Sequence, residues 1–494
     1  MKKYFLFLVI CTFFFSLSPA QFSQVGSQLD GNAPNDNFGF SVAMNESGKT
    51  IIVGAPLYDS DFGQVRVFQQ IAGDWTQIGG DINGNEIGHQ FGFSVAISAN
   101  GKRIALGGIG GSTTTQGGHV RVYDLVNEQW VQRGETILAE AVGDQFGSAI
   151  AMNAAGNRIV VGATKNDGNG QDAGHVRVYE FQNNAWTQLG VDLDGAAAGD
   201  EYGISVSMSR DGNIIAAGSS RNSSAGSAAG QAQVFQWQNG SWTQMGSDIL
   251  GQHANEFLGL SLNLAEDGHT LAVGASGHNH GAGIGSVRVY SFDNNLWTQK
   301  GMDIRGSLTT EAFGQTVSIN GDGTILGIGT PSSDEAGTSS GRFNLFSYDS
   351  TVWAEVYQPI TGKASFDFVG KSLALNREGN RFVIGANLAN GTQGYTVVYE
   401  DSLMPVSIQH QLIPGFLQIL PKRDHISIQL ELPNQSHPVS LSLSSLSAQA
   451  IYSETLPYRS SYTIPASLAS GVYLLRIKQN HRMLIRKLIV RTNE

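Results

Sequence analysis

The sequence predicts an all-β chain: a seven-bladed β-propeller of four-stranded blades, closed by its own N-terminal strand and followed by a smaller β domain. Three observations predict it. The phrase FGFSVAMNESGKTIIVGAP, from Phe38 to Pro56, recurs seven times, with looser copies at Tyr202, Leu258, Phe313 and Val369. Its glycines Gly39, Gly92, Gly147, Gly203, Gly259, Gly314 and Gly370 stand 53 to 56 residues apart, a fixed period that marks a repeat architecture. A second phrase, WTQxG, keeps the same beat through Trp75, Trp130, Trp186, Trp242, Trp297 and Trp353, six times instead of seven.

One period supplies one blade. In the third copy, GSAIAM is a short apolar run, NAAGN a tight turn, and RIVVGA a second β-branched run. TKNDGNGQD is a longer polar loop. HVRVYEF alternates, with Val176 and Val178 on one side and Arg177 and Tyr179 on the other. QNNA turns the chain into WTQLG, a fourth strand. Four antiparallel strands with two apolar faces need a neighbour on each face, and a closed ring supplies both.

The missing seventh Trp predicts how the ring closes. The last copy ends at YTVVYEDS without a WTQ strand. The segment FSQVGSQLDG near the N-terminus aligns with WTQIGGDING: Phe22 falls on Trp75, Gln24 on Gln77, Gly26 on Gly79 and Gly31 on Gly84. The first strand is therefore expected to complete the seventh blade and remove its open edge.

The first residues carry an address. Lys2 and Lys3 precede the apolar run FLFLVICTFFFSL, read as a signal peptide over residues 1–20 cut between Ala20 and Gln21. Cys11 is the only cysteine, so the mature chain offers no disulfide or thiol chemistry. No later stretch reaches membrane-spanning length. Residues 21–401 hold 19 Lys/Arg against 37 Asp/Glu, whereas residues 402–494 hold 9 against 4. The acidic body should repel nucleic acid and anionic membrane surfaces. The charge contrast marks a division into a propeller over 21–401, a linker over 402–411 and a C-terminal domain over 412–494.

Phe38-Gly39 with Gly54-Ala55-Pro56 resembles the FG-GAP repeat, which builds the seven-bladed propeller of integrin α-subunits and related extracellular proteins. Several blades of that family hold calcium between their first two strands. Here those turns (NESGK, SANGK, NAAGN, SRDGN, AEDGH, NGDGT, NREGN) carry at most two acidic side chains, too few for six to eight oxygen ligands. SLASGVYLLRIKQNHRMLIRKLIV, Ser467 to Val490, resembles the end of a type A C-terminal sorting domain of the type IX secretion system. That resemblance implies a small Ig-like β-sandwich, export across the outer membrane, and release or surface attachment. The family's usual Asn-Pro opening is replaced by LPKRDHISI.

No HExxH, GxSxG or phosphate-cradling loop occurs, and no cofactor is expected. The weak metal candidates are Asp167, Asn169 and Asp172 in one polar loop and His278 and His280 in another; solvated loops are the plainer reading. The recurring Arg66, Arg121, Arg177 and Arg288 read as structural, pairing with acids such as Asp144 or Asp200. Turns after the first and third strands are tight, while loops after the second and fourth are long and vary, so one face of the disc should do the recognising. The expected function is a secreted or cell-surface, non-catalytic propeller, monomeric, binding a protein or glycan on the long-loop face and meeting the secretion machinery through its C-terminal domain. The alternative is an extracellular polysaccharide hydrolase or lyase with its carboxylates on that face.

Overall fold

The computed structural model describes residues 22–110, 117–277, 284–307 and 311–401, and seven strands of the C-terminal region. The expected signal peptide with Ala20 and Gln21, the loop histidines His278 and His280, and the expected linker lie outside the described residues. The chain divides into two compact units, 1–402 and 403–494.

Among the described residues of the first unit, seven antiparallel sheets follow one plan. In blade 1 the strands are Ser41–Met44, Thr50–Ala55, Gln64–Ile71 and Asp74–Gln77, in that order from one edge to the other. The outer strand comes in two pieces: Ile82–Asn83 rejoins the third strand beyond a break at Ile78-Gly79-Gly80. The inner strands meet their neighbours in a closed cycle, blade 7 touching blade 1. The core lies between blades. Val53 and Phe68 of blade 1, for example, pack with Val383 and Val398 of blade 7.

The recurring phrase is a packing requirement. The Gly of each FG pair adopts a positive φ, 88° at Gly39 and Gly92, and its carbonyl lies against the second-strand Gly of the preceding blade. A methyl group on Gly54 would overlap the Gly92 carbonyl oxygen; Gly107 meets Gly147 in the same way, and Gly385 meets Gly39 across the closure. The inner-strand hydroxyl reaches the same carbonyl: Ser41 Oγ donates to Gly92 O at 2.7 Å, Ser94 Oγ to Gly147 O at 2.6 Å, and Ser372 Oγ to Gly39 O at 2.7 Å. The aromatic before that Gly is buried, as at Phe38, Phe91, Phe146, Tyr202 and Phe313.

The WTQxG phrase staples the rim. Each indole donates to the blade before it: Trp75 Nε1 to Val25 O at 2.8 Å, Trp130 to Ile78 O at 3.0 Å, Trp186 to Arg133 O at 2.9 Å. Trp242, Trp297 and Trp353 reach Leu189, Met245 and Lys300 in the same way. The Gly that follows the acceptor turns the chain at positive φ, and its missing side chain admits the indole. A Cβ on Gly79 or Gly190 would press on Trp130 or Trp242.

The N-terminal segment occupies the outer position of blade 7. Ser23 pairs with Glu400 and Gln24 with Tyr399, and Leu29–Asp30 pairs with Thr396 and Tyr395. Phe22 cannot donate as an indole does. It is buried edge-on against Tyr357 and Phe382, each with ring centroids 4.8 Å away. Tyr357 stands where the other blades have the rim Gly, so an indole at position 22 would collide with it. The junction is held instead by Tyr357 Oη donating to Asp401 Oδ1 at 3.0 Å.

In the second unit, Leu417–Pro421, His425–Leu430 and Ser461–Pro465 form one antiparallel sheet. Ala450–Leu456, Val439–Ser445, Gly471–Gln479 and Arg482–Val490 form another.

Two outcomes follow from these contacts. The Tyr202 hydroxyl is buried with no hydrogen-bond partner at a site where four other blades place Phe. Tyr202→Phe should therefore raise unfolding stability by about 1 kcal/mol in urea titrations. Phe22→Trp should destabilise the protein although it restores the repeat phrase. Combined with Tyr357→Gly it should recover part of the loss, a coupling of about 1–2 kcal/mol in a double-mutant cycle. Additive effects would contradict the packing described for this junction.

Candidate functional site

The seven inner strands enclose a central cavity of about 330 Å³, lined from Val42, Val95 and Leu373 down to Glu46, Arg210, Glu266 and Arg377 at the tight-turn end. The two ends of these strands are built differently. At one, the tight turns after the inner strands hydrogen-bond in succession. Ala99 N donates to Ala154 O, Ala154 N to Arg210 O, Arg210 N to Glu266 O, Glu266 N to Gly321 O, Gly321 N to Arg377 O and Arg377 N to Glu46 O. The Asn45 side chain donates to Ala99 O at 3.2 Å and completes the circle.

The same seven positions hold Glu46, Ala99, Ala154, Arg210, Glu266, Gly321 and Arg377. The four charged side chains meet across the cavity. Arg210 pairs with Glu46 at 2.7 Å and Glu266 at 3.4 Å, and Arg377 pairs with Glu266 at 3.2 Å and also with Glu46. Burial raises the Glu266 carboxyl pKa, against the pull of Arg377 and Arg210. Two cations and two anions form a neutral cycle over this end, with Ala99, Ala154 and Gly321 leaving room for them.

The opposite end of the inner strands carries the residue after each FG pair: Phe40, Phe93, Ser148, Ile204, Leu260, Gln315 and Lys371. All seven are partly buried. The Phe40 and Phe93 rings lie 4.9 Å apart at a tilt of 48°. Lys371 Nζ sits 4.9 Å from the centre of the Phe40 ring. Burial lowers the Lys371 pKa, and no charged neighbour opposes that shift. The result is a collar on the long-loop face: two aromatic rings, two aliphatic chains, a hydroxyl, an amide and one ammonium without a carboxylate among the described residues.

The acids of this face have other partners. Asp36 Oδ2 accepts from the backbone of Asn32 and Ala33 at 2.8 and 2.7 Å. Asp144 accepts from Ala141 N and Asn166 Nδ2, Asp200 from Ala197 N and Asn222 Nδ2, and Asp367 from Lys363 N and Ala364 N. This corrects the pairing expected for the recurring arginines. Arg177 binds Asp192, at 2.6 Å, and Glu140, whereas Asp144 and Asp200 accept from turn amides and from Asn166 and Asn222. Arg288 binds Glu256, the acid that holds that turn position in blade 5. Arg66 and Arg121 donate to Asp30 O and Asn85 Oδ1 and lie over the Phe38 and Phe91 rings.

Of the candidate loop ligands, Asp167 Oδ1 accepts from Asp172 N at 2.8 Å and Asn169 Nδ2 donates to Gly195 O at 2.8 Å. Asp172 pairs with Lys165 at 3.3 Å. Glu140, His175 and Asp192 approach one another closely enough to share a metal ion. Arg177 pairs with both of those carboxylates, so the trio does not suit a second cation.

In blade 2 the turn acid is replaced by His89, buried beside His119, with ring centroids 4.9 Å apart. His119 stacks on Phe91, and neither of its ring nitrogens has a hydrogen-bond partner among the described residues. Burial, aided by Arg121 and His89, pushes its pKa down to about 3.

Residues 139–179 match the FG-GAP repeat and residues 420–491 match the secretion system C-terminal sorting domain. No curated protein matches the chain significantly. Among solved structures, a candidate 6-phosphogluconolactonase from Bacteroides uniformis is 11% identical, with 66% of this chain and 85% of that one covered and a TM-score of 0.47. The periplasmic gluconolactonase of Pseudomonas aeruginosa is 14% identical, over 66% and 86%, with a TM-score of 0.45. AofleA from Arthrobotrys oligospora is 12% identical, over 68% and 89%, with a TM-score of 0.40. Likeness at that level says nothing about chemistry. No helix among the described residues is long and apolar enough to cross a membrane.

The buried imidazole makes stability depend on pH. A folded-state pKa near 3 lies below the unfolded value near 6.5, so the unfolded chain binds more protons between them and stability falls as pH drops through that window. His119→Gln places there the residue that blades 1 and 4 have, Gln64 and Gln231. Between pH 7 and about pH 4.5, the variant should lose about 2 kcal/mol less stability than the parent in urea titrations. Equal losses would show that His119 is not buried neutral.

The sorting domain assigns export through the type IX secretion route, to the outer surface or the medium. The chain thus carries a seven-bladed β-propeller in which residues 139–179 match the FG-GAP repeat, and a C-terminal segment, 420–491, that matches the secretion system sorting domain.

Proposed function

We propose that the protein is a non-catalytic propeller that binds an extracellular glycan or protein at the long-loop end of its inner strands. One observation carries this reading. Seven structurally equivalent collar positions hold six different residue types, although the Gly before each is held constant by packing. Variation that the scaffold does not demand belongs to recognition. The occupation of the buried acids Asp36, Asp144, Asp200 and Asp367 by turn hydrogen bonds supports binding over hydrolysis, since a glycosidase needs two carboxyl groups free to face one bond.

In this reading residues 1–20 are removed at Ala20–Gln21, residues 21–401 form the monomeric binding body, and 402–411 link it to 412–494. The two C-terminal sheets stack as an Ig-like sandwich and engage the secretion machinery. Phe22, Gln24 and Gly26 act as the ring-closing segment. Metal plays no part in the binding body.

An array of extracellular polysaccharides and surface proteins, probed with the exported protein, should give binding without new reducing ends or unsaturated products. Product accumulating with time would replace this reading with a hydrolase or lyase.

A further inference from the structure

We infer that the collar takes a carboxylated sugar, with Lys371 holding the carboxylate and Phe40 and Phe93 covering the apolar face of the pyranose ring. The inference rests on the glycan form of the binding reading above and names the class of ligand. Three features lead to it.

The first is a cation out of place. Residues 21–401 carry 37 acidic side chains against 19 basic ones, yet Lys371 has no carboxylate within ion-pair distance among the described residues. Arg177 and Arg342, which are more buried, each have one. An ammonium drawn partly out of water and left over an aromatic face is stabilised by that face only modestly. A bound anion would offset its desolvation far better.

The second is the shape of its surroundings. Phe40 and Phe93 touch one another and belong to adjacent blades, so they present a continuous apolar surface next to the ammonium. Ile204 and Leu260 occupy equivalent positions in blades 4 and 5, and Ser148 and Gln315 add a hydroxyl and an amide. A pyranose has an apolar C–H face and hydroxyls at its edge, and both kinds of group are met here.

The third is the amount of charge. The collar has one lysine and no arginine. A single ammonium suits a carboxylate as a point charge, whereas a doubly charged phosphate calls for several donors or an arginine fork. A uronic acid residue unites the carboxylate and the C–H face in one unit.

The other blades provide the test substitutions. Lys371→Gln installs the residue of blade 6 and Phe40→Ser that of blade 3, so both side chains are already accepted at this position by the fold. The full-length protein would be titrated calorimetrically with oligogalacturonate, oligomannuronate, the methyl ester of the first, and a sulfated galactan. At least one uronate should bind, with esterification weakening binding about tenfold or more. Lys371→Gln should weaken the acid form to a similar degree and leave the ester unchanged. Phe40→Ser should weaken both. In the unsubstituted protein, the bound uronate should protect Lys371 from amine acetylation, a readout that needs no variant.

Equal affinity for acid and ester, undiminished binding by Lys371→Gln, or absence of protection would overturn the inference. So would sulfated galactan binding in place of either uronate. Failure of both uronates, with neutral glycan or protein still captured on the array, would overturn it while leaving the binding function standing. Failure of every probe would remove both.

Discussion

The contact on which the ring depends is backbone against backbone. The carbonyl of each FG glycine lies over the second-strand glycine of the blade before it, and this happens at all seven junctions, Gly39 over Gly385 included. Neither side can yield, because neither partner is a flexible side chain. The contact therefore sets how closely consecutive inner strands approach, and with it the width of the cavity. The serine hydroxyls of Ser41, Ser94, Ser205 and Ser372 then satisfy carbonyls that this approach removes from water. Blade 3 shows the hierarchy: Ala149 stands where those serines stand and the bond is lost, but Gly147 and Gly162 remain.

The rim works by a softer rule, and so it can be rewritten. Six indoles bridge to the preceding blade, each admitted by a glycine. At the seventh junction both partners change together: Tyr357 fills the glycine's space and Phe22 replaces the indole. The lost N–H bond has a counterpart in the Tyr357–Asp401 hydrogen bond. The junction where the N-terminal segment of blade 7 meets blade 6 is thus packed by three aromatic rings, Phe22, Tyr357 and Phe382, rather than by a staple.

Much of this was legible in the sequence, because repetition exposes packing rules. The period, the four runs per copy and the alignment of Phe22 with Trp75 all lie in the chain order. The partners of Arg177 were missed. Asp192 recurs with the repeat as Asp81, Asp248 and Asp303, fifteen residues after the third-strand position of Arg177, a regularity that went unread, whereas Asp144 and Asp200 serve backbone amides. The two-piece outer strand was missed because Ile82–Asn83 is too short to show any alternation. The collar and the charged cycle left a signal that went unread: the residues after FG and inside the first turn vary where their neighbours do not. Only the closed ring shows that seven residues some 55 positions apart lie around one opening.

The two ends of the inner strands answer different electrostatic demands, and that difference favours the long-loop end for the proposed binding. At the turn end, Glu46, Arg210, Glu266 and Arg377 satisfy one another in a closed cycle of zero net charge. A ligand there would have to break pairs already made and recover their energy from new ones, and partly exposed pairs offer little margin for that exchange. At the collar the balance is reversed. Lys371 is drawn from water without an ionic partner among the described residues, and Phe40 and Phe93 keep part of their surface uncovered. Each of these costs the folded protein something that a ligand would return. A scaffold that settles its charges at one end and leaves one ammonium without a carboxylate among the described residues at the other offers the collar as the end for the proposed ligand.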